Sequence, residues 1–253
     1  MAPEIEIKVI STTAMKMVFE EIASRFERGT GHRLAVELGP SLRLETRLAG
    51  GEAADVAIVT SGGIKDLVVG GKIVAGSLVD VARSAIGICV AKGAPKPDIS
   101  SADAFRRTML AAKSVALSKP VGGGASGAHM AKVFEQLGIA QAMAAKSHYG
   151  AGGATGLAGL VVLRGEAEIG IQQMSELMAV SGIDVIGPLP MELQSVTTFT
   201  GGIPTGTRHA GAGRALLQFL TTPAVRGVIA ATGLEPAVMD CASARTSCNF
   251  SDG

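Results

Sequence analysis

The sequence predicts an α/β protein with two lobes, each a mixed, mostly parallel β-sheet flanked by helices. Short β-rich segments alternate with longer helical patterns from residue 5 onward, and a second series of this kind begins near residue 114. Between the two series, after residue 80, the pattern changes without any low-complexity linker. A chain of 253 residues is long enough for two lobes of ordinary domain size.

The first half carries a β-α-β rhythm, which is typical of parallel strands covered by helices. We predict strands at residues 5–10, 34–38 and 56–59, and helices at residues 15–28, 43–49 and 64–69. The first helix is amphipathic, because Val18, Phe19, Ile22 and Phe26 fall on one face. The glycines at residues 29–31 predict its end.

The second half continues the alternation and closes on helices. We predict strands at residues 85–91, 114–118, 147–149, 169–172, 184–186 and 196–200. We predict helices at residues 103–112, 128–137, 157–164, 175–180, 212–220 and 224–231.

Composition excludes several classes of partner. The 23 Lys and Arg nearly balance the 22 Asp and Glu, so no electrostatic footprint for nucleic acid or an anionic membrane is present. With no Trp and one Tyr, stacking platforms for bases or sugars are not expected. We therefore expect a soluble chain with a small-molecule partner. Its location is periplasmic if a signal peptide was removed ahead of Met1, and a cytoplasmic location stays open.

Neither a metal nor a cofactor is expected. The four histidines lack metal-ligand spacing, and the cysteines match no zinc motif. Cys89 lies in an apolar segment and is predicted to be inert core. Cys241 and Cys248 lie in a polar tail, where free thiols are favoured over a disulfide formed after export.

The loops that follow the predicted strands share one chemistry. Ligands of open α/β sheets bind at the carboxyl ends of strands, so these loops are the candidate site. They are rich in hydroxyls, glycines and amides and poor in carboxylates, an inventory that suits a desolvated anion. The candidates with hydroxyl groups are Ser11, Thr12, Thr13, Ser41, Ser61, Ser118 and Ser126. The same side chains also suit helix N-caps, so both roles stay open.

Residues 118–127 form a glycine-rich junction between a strand and a helix. Gly122, Gly124 and Gly127 satisfy the G-x-G-x-x-G pattern of dinucleotide-binding folds. However, residues 142–149 lack the acidic residue that such a site places about 20 residues on, and no Walker lysine is present. We therefore predict an anion-binding loop in which Ser118, Ser126 and Gly127 contact the ligand.

Residues 8–26, 31–41, 44–57 and 164–171 resemble the type II periplasmic solute-binding proteins, closest to the molybdate-binding branch. The likeness covers about residues 5–237. It implies one lobe from residues 1–83 with 201–253, another from residues 84–200, and crossover strands near 83–84 and 197–202. It also implies a monomer that closes around an anion and delivers it to an ABC-type permease.

Departures from the family pattern bear on the ligand. The family's first-loop serine falls on Ala14, its second-loop serine is kept as Ser41, and a tyrosine is replaced by Gln173. These changes favour an organic di- or tricarboxylate over molybdate. At the lobe junction, Arg83 and Ser84 join the candidates, since an arginine there suits a carboxylate or an interlobe salt bridge equally.

Residues 39–41 and 170–177 are more similar to the branch of this family that includes aconitate isomerase. That branch implies an alternative to simple binding, in which the double bond of an unsaturated tricarboxylate is moved. Such an enzyme needs an acid or base, and His129, His148 and Tyr149 are the candidates, each with a structural role as the competing interpretation. Binding without chemistry is the favoured interpretation from the sequence.

Overall fold

Two mixed β-sheets organise the chain, in a computed structural model that describes residues 4–150 and 156–237. The strands are β1 Glu6–Thr12, β2 Arg33–Gly39, β3 Val56–Thr60, β4 Val79–Ser84, β5 Ile86–Ala91, β6 Val115–Leu117, β7 Ser147–Tyr149, β8 Ile169–Gln173, β9 Ile183–Pro188, β10 Thr197–Gly202 and β11 Glu235–Pro236. The helices are α1 Lys16–Thr30, α2 Ser41–Ala49, α3 Ser61–Val69, α4 Ala102–Ala111, α5 Ala125–Gln136, α6 Ala140–Ala144, α7 Ala158–Leu163, α8 Met174–Met178, α9 Ala210–Leu220 and α10 Pro223–Ala231.

The first sheet has the order β11-β4-β10-β3-β1-β2. Its β1, β2 and β3 pair in parallel, as the β-α-β rhythm predicts. By contrast, β10 runs antiparallel to both β3 and β4, and β11 runs antiparallel to β4. The sheet is therefore mixed, because strands from the end of the described chain complete a sheet begun at its start.

The second sheet has the order β7-β6-β8-β5-β9. Strand β6 pairs in parallel with β7 and β8, whereas β5 is antiparallel to β8 and β9. The α/β fold with two mixed, helix-flanked sheets is thus confirmed. The prediction that the sheets are mostly parallel is wrong, because antiparallel pairs outnumber parallel pairs in the described first sheet and equal them in the second.

The chain passes between the sheets at two places. One is the junction of β4 and β5, where Ala85 alone separates the two strands; the other lies between β9 and β10. The Gln194 side chain joins these two places, because its Oε1 accepts from the Ile86 N–H and its Nε2 donates to the Ile86 carbonyl, both at 2.9 Å. The Gln194 amide thus bonds to the Ile86 backbone as a neighbouring strand would, and it holds the two crossings side by side.

Apolar residues cover both faces of each sheet. On the first sheet, α1, α9 and α10 bury one core around Phe26 and Leu216, and α2 and α3 bury another around Leu44 and Ile64. On the second sheet, α4, α5 and α6 cover one face, and α7 and α8 cover the other, which contains Cys89. Burial raises the pKa of the Cys89 thiol to about 12, consistent with an unreactive core residue.

Most predicted elements are present within a few residues, and the differences have local causes. Strand β4 was not predicted, since Asp80 and Arg83 interrupt its apolar pattern. Helix α5 begins at Ala125, three residues earlier than predicted, so it starts inside the glycine-rich junction. In the described ranges, no helix combines the length and hydropathy that crossing a membrane requires. The predicted pairing state of Cys241 and Cys248 lies outside the described residues.

Candidate functional site

A pocket lies where the carboxyl ends of strands from both sheets face each other. Its cavity is about 250 Å³, below the roughly 300–1,000 Å³ of pockets for drug-sized ligands, so a small metabolite fits best. The described residues that line it are Thr12, Thr13, Pro40, Ser41, Arg43, Ser118, Lys119, Val121, Gly122, Gly123, Gly124, Ala125, Gly150, Gly156, Gln172, Gln173, Glu176 and Phe199.

Hydroxyl groups from the first sheet form one wall of this pocket. Thr12 ends β1, Thr13 begins a 3₁₀ turn, and Ser41 begins α2. The Ser41 hydroxyl donates to Thr12 Oγ1 at 2.9 Å, so two predicted binding residues are in direct contact. The Thr13 hydroxyl is buried and has no hydrogen-bond partner among the described residues. Burying a hydroxyl without a hydrogen-bond partner destabilises the fold, and a ligand in the pocket can supply the missing partner.

The glycine-rich junction forms the opposite wall. Cβ atoms at Gly123 or Gly127 would overlap the backbone of residues 118–119, so these glycines let the chain lie directly on the first turn of α5. Ser118 and Gly124 line the pocket, and the predicted contact between Ser118 and the ligand stays a prediction.

Several helix starts open toward the pocket. The residues that precede the 3₁₀ turn, α2, α5 and α8 are Thr12, Pro40, Gly124 and Gln173, and all four line the cavity. None of these starts has a side-chain cap. Among the described helices, the side chain of the residue before the helix caps only α3 and α4, which begin elsewhere. The N–H groups at the start of the longer helices α2 and α5, beside the unpaired Thr13 hydroxyl, favour an anion in this cavity.

Adjacent glutamines at the end of β8 both line the pocket, whereas strand alternation predicts that one would. Gln172 Oε1 accepts from the Ala158 N–H at 2.6 Å and so supports the start of α7. In the orientation that gives hydrogen bonds to both its oxygen and its nitrogen, the Gln173 amide accepts from Thr197 Oγ1 and donates to the Ser84 carbonyl, each at 3.1 Å. The Gln173 amide therefore links the two crossing segments while its side chain borders the cavity.

Glu176, in the first turn of α8, is the functional candidate that sequence reasoning missed. The residue lines the pocket, yet it is only 8% exposed. Burial raises the pKa of its carboxyl to about 7, although hydrogen bonding to the Gln172 side chain and the Gln173 backbone acts in the opposite direction. The sequence signal was its place three residues after Gln173, one helical turn beyond the carboxyl end of a buried strand.

Besides Glu176, the described pocket lining contains two charged residues, both cations. Arg43 lies in the first turn of α2, and Lys119 lies in the loop before α5. Both are exposed, and neither was predicted. With Glu176, they place charges of both signs around an otherwise neutral set of hydroxyls, amides and backbone groups.

Several predicted ligand residues are not among the described residues that line the pocket. Ser11 and Ser126 are buried, and neither hydroxyl has a partner in the described part of the chain. Arg83 is exposed on β4, and the Ser84 hydroxyl donates to the Ala85 carbonyl at 3.2 Å. Gly127 contacts the backbone behind the glycine-rich wall. A binding role for these residues stays a prediction.

Ser61 lies off the pocket for a specific reason. The Glu45 carboxylate accepts from Thr60 Oγ1 at 2.6 Å, and Thr60 Oγ1 in turn accepts from the Gly63 N–H at 3.1 Å. Residues of the chain itself thus occupy the start of α3. This helix start is closed to a ligand, unlike those of α2 and α5.

The candidate proton-transfer residues from the sequence lie outside the cavity lining. His129 Nε2 is 2.8 Å from the Leu193 carbonyl oxygen, so this ring is engaged by the backbone. His148 is exposed on β7. Tyr149, which is 45% exposed, borders a separate small cavity beside α5 and α6. Within residues 4–150 and 156–237, no group of three His, Cys, Asp or Glu side chains could hold a metal ion.

Two helix-flanked mixed sheets, joined by two crossings with a pocket between them, form the two-lobed fold that periplasmic binding proteins have. Among proteins with that fold, the chain belongs to the family of bacterial extracellular solute-binding proteins, whose model matches residues 7–235. The likeness to the family that the sequence predicted is thereby confirmed.

The chain is similar to one curated protein in sequence and to solved binding proteins in structure. A curated aconitate isomerase from Pseudomonas sp. is 35% identical over 240 residues, covering 92% of this chain and 89% of the relative. The periplasmic molybdate-binding protein of Azotobacter vinelandii superposes with a TM-score of 0.75 at 16% identity, covering 92% of this chain and 100% of the other. The sulfate-binding protein SubI of Mycobacterium tuberculosis gives 0.74 at 18% identity, with coverage of 96% and 90%. The two structural likenesses show the fold alone.

Proposed function

We propose that this protein binds an unsaturated tricarboxylate in the cleft pocket and moves its double bond by proton transfer, with Glu176 as the general base. The observation that carries the proposal is that Glu176, a buried acidic residue, lines the pocket. Among the described lining residues, no other carboxyl, imidazole or thiol is present. In a site that only captured an anion, an ionised carboxylate would repel the ligand, because like charges repel.

The reaction balances without a co-reactant. The Glu176 carboxylate takes a proton from the saturated carbon next to the double bond, and the electron pair left behind forms a new carbon–carbon double bond. The original double bond shifts its electron pair to the far carbon, which receives the proton back from the Glu176 carboxylic acid. Substrate and product have the same atoms and charge, so one side chain serves both steps.

The reaction requires a base of suitable pKa and groups that stabilise a negatively charged intermediate, and the pocket suits both requirements. A general base works best when its pKa lies near the working pH, and burial places that of Glu176 at about 7. The intermediate carries extra negative charge on its carboxylate groups, which the open starts of α2 and α5 and the Thr13 hydroxyl are placed to stabilise. The 35% identical aconitate isomerase supports aconitate as the substrate to test first.

The test is conversion of trans-aconitate, followed by ultraviolet absorbance and NMR, for the wild-type protein and Glu176→Gln. We expect wild-type kcat/KM to rise with pH through about 7 as the base ionises, and the variant to lose at least 100-fold in kcat. Glu21→Gln on the exposed side of α1 is the matched control. Equal turnover by Glu176→Gln, or no conversion by the wild-type protein, contradicts the proposal.

A second candidate function is capture of a di- or tricarboxylate, or of a molybdate-like oxyanion, for delivery by an exported monomer to an ABC-type permease. The observation that favours it is membership of the extracellular solute-binding family, together with a fold shared with molybdate- and sulfate-binding proteins. The two functions are distinguished by whether the protein converts trans-aconitate. Tight binding by a wild-type protein that converts no trans-aconitate supports capture, and turnover supports the isomerase.

A further inference from the structure

Two cations stand on opposite walls of the pocket, one contributed from each sheet. Arg43 belongs to α2, which follows β2 of the first sheet, and Lys119 follows β6 of the second. Both residues line the cavity. Any ligand that contacts both walls therefore meets one fixed positive charge on each side.

The Arg43 side chain makes no hydrogen bond or ion pair with a described residue, although its neighbour Arg47 makes several. Arg47, one turn further along α2, binds Glu37 at 2.6 Å and Glu52 at 2.5 Å. A cation in the first turn of a helix is unfavourable, because the helix dipole is positive at that end. Arg43 thus adds positive charge where the helix start already provides some, and a bound anion relieves this repulsion.

Lys119 is also without an ion pair in the described part of the chain, and the backbone around it is fixed. Its carbonyl oxygen lies so close to Gly123 and Gly127 that no side chain fits at either position. The tightly packed glycine-rich wall therefore holds the lysine at the edge of the cavity. A flexible side chain on a fixed backbone can reach an anion without a large entropic cost to the loop.

Charge on the lining favours a ligand with several negative groups. The charged residues among those described are Arg43, Lys119 and Glu176. Arg43 and Lys119 each bring a positive charge, whereas burial raises the pKa of Glu176 to about 7 and so weakens its negative charge at neutral pH. The lining is thus net positive, and its positive charges are divided between the walls rather than gathered at one point.

We infer that Arg43 and Lys119 determine substrate specificity by each binding one carboxylate of a ligand that carries at least two. The inference rests on the proposed function, since it concerns the same pocket. The hydroxyls and helix starts between the cations hold the remaining polar group of the ligand and place its carbon chain beside Glu176. A monocarboxylate engages one cation and leaves the other without a partner.

The test is calorimetric titration with trans-aconitate, mesaconate and crotonate, which carry three, two and one carboxylates, and with molybdate. We expect the wild-type protein to bind crotonate at least tenfold more weakly than trans-aconitate. Arg43→Gln and Lys119→Gln should each weaken trans-aconitate binding at least tenfold and crotonate binding less than threefold. These losses should shrink as salt rises, because exposed charges are screened.

Matched controls are Arg25→Gln on α1 and Lys92→Gln after β5, both exposed and away from the pocket, which should bind as the wild-type protein does. Arg43→Lys and Lys119→Arg should recover part of the lost affinity, and unchanged unfolding temperatures will show that the variants fold. Trans-aconitate affinity that is unchanged in both glutamine variants, or crotonate affinity equal to that for trans-aconitate, overturns the inference.

Failure of this inference is distinguishable from failure of the proposed function. A wild-type protein that binds trans-aconitate with the expected losses in the variants, yet converts none, supports the inference and contradicts the isomerase. A wild-type protein that converts trans-aconitate while both glutamine variants keep its affinity contradicts the inference alone. Binding of molybdate and of no carboxylate overturns both.

Discussion

Glu176 shows at the residue scale how a functional group is held in an unfavourable environment. Its carboxyl is buried beside Gln172 and Gln173, so ionisation is disfavoured relative to water. The same burial that gives a base with a pKa of about 7 makes the ionised form a source of instability. The proposed role of Glu176 as a base and the stability of the fold therefore make opposite demands on this position.

The first prediction concerns the pH dependence of stability at Glu176. Between the unfolded pKa of 4.5 and the folded pKa of about 7, the folded state keeps a proton that the unfolded state has lost. The free energy of unfolding therefore falls as pH rises through this window, and the full penalty, of order 3 kcal/mol, is present above about pH 7. Glu176→Gln removes the penalty.

Denaturant unfolding of the wild-type protein, Glu176→Gln and Glu21→Gln from pH 4 to 8 will measure this effect. We expect Glu176→Gln to be more stable than the wild-type protein at pH 8 and similar to it at pH 4. Glu21→Gln should follow the wild-type curve, because Glu21 is exposed. Parallel curves for wild type and Glu176→Gln would rule out a buried, destabilising carboxylate.

At the element scale, the site depends on how helices begin. Helices α2 and α5 start on the pocket without side-chain caps, whereas Thr60 caps α3 and Ser101 caps α4. The N–H groups of the uncapped starts need partners, which water or a bound anion supplies. Where a helix has its own cap, the chain closes that start to ligands, as Glu45 and Thr60 do beside Ser61.

The second prediction compares two glycine-to-alanine changes on helices. At Gly127 an added Cβ would overlap the backbone of residues 118–119, so Gly127→Ala should lower the free energy of unfolding by about 1–3 kcal/mol and weaken ligand binding. Gly227, on the exposed face of α10, has nothing within 4 Å, so Gly227→Ala should stabilise by roughly 0.5–1 kcal/mol.

Denaturant unfolding and calorimetric titration on both glycine variants provide the measurement. Gly227→Ala is the control for the chemistry of the substitution, since it should leave ligand affinity unchanged. Equal effects of the two changes on stability would show that the glycine-rich wall has room for side chains.

At the scale of the whole molecule, the pocket exists because two sheets meet through two narrow crossings. Gln194 bonds to the backbone of Ile86, and Gln173 spans from Ser84 to Thr197, so side-chain amides hold both crossings together. We propose that these crossings act as a hinge between the lobe built on the first sheet and the lobe built on the second. A ligand in contact with both walls would stabilise the closed arrangement.

The third prediction tests ligand-linked closure. With trans-aconitate at about 100 times its Kd, the free energy of unfolding should rise by about 2.7 kcal/mol, because the ligand binds the native state alone. The radius of gyration from small-angle X-ray scattering should fall at the same concentration. Stabilisation without compaction would indicate a pocket that binds its ligand with the lobes already in place.

Sequence reasoning predicted most of the fold because its signals are local. The amphipathic pattern of residues 15–28 and the apolar strand segments require no knowledge of distant contacts, and α1, β1 and β3 lie within two residues of their predicted bounds. Strand β4 was missed because its polar residues interrupt the pattern, and antiparallel pairing to β10 gives it a place in the sheet.

Part of the candidate site was also open to prediction. The rule that ligands bind at the carboxyl ends of strands selected Thr12, Thr13, Ser41, Ser118 and Gln173, all of which line the pocket. It did not select Glu176, because the local sequence of a glutamate on a helix surface is the same as that of a glutamate that packing places beside a cavity.

By itself, the sequence determined the class of fold and the family, and it indicated a candidate site among the hydroxyls and glycines that follow the strands, because these depend on periodicity and on residue types at strand ends. The tertiary structure alone decided which of these groups share a cavity, which helix starts remain open, and which charges meet there. Burial of Glu176 and the facing positions of Arg43 and Lys119 arise from packing between segments more than 50 residues apart in sequence. Desolvation and charge proximity depend on distances in space, and these distances set the chemistry of the site.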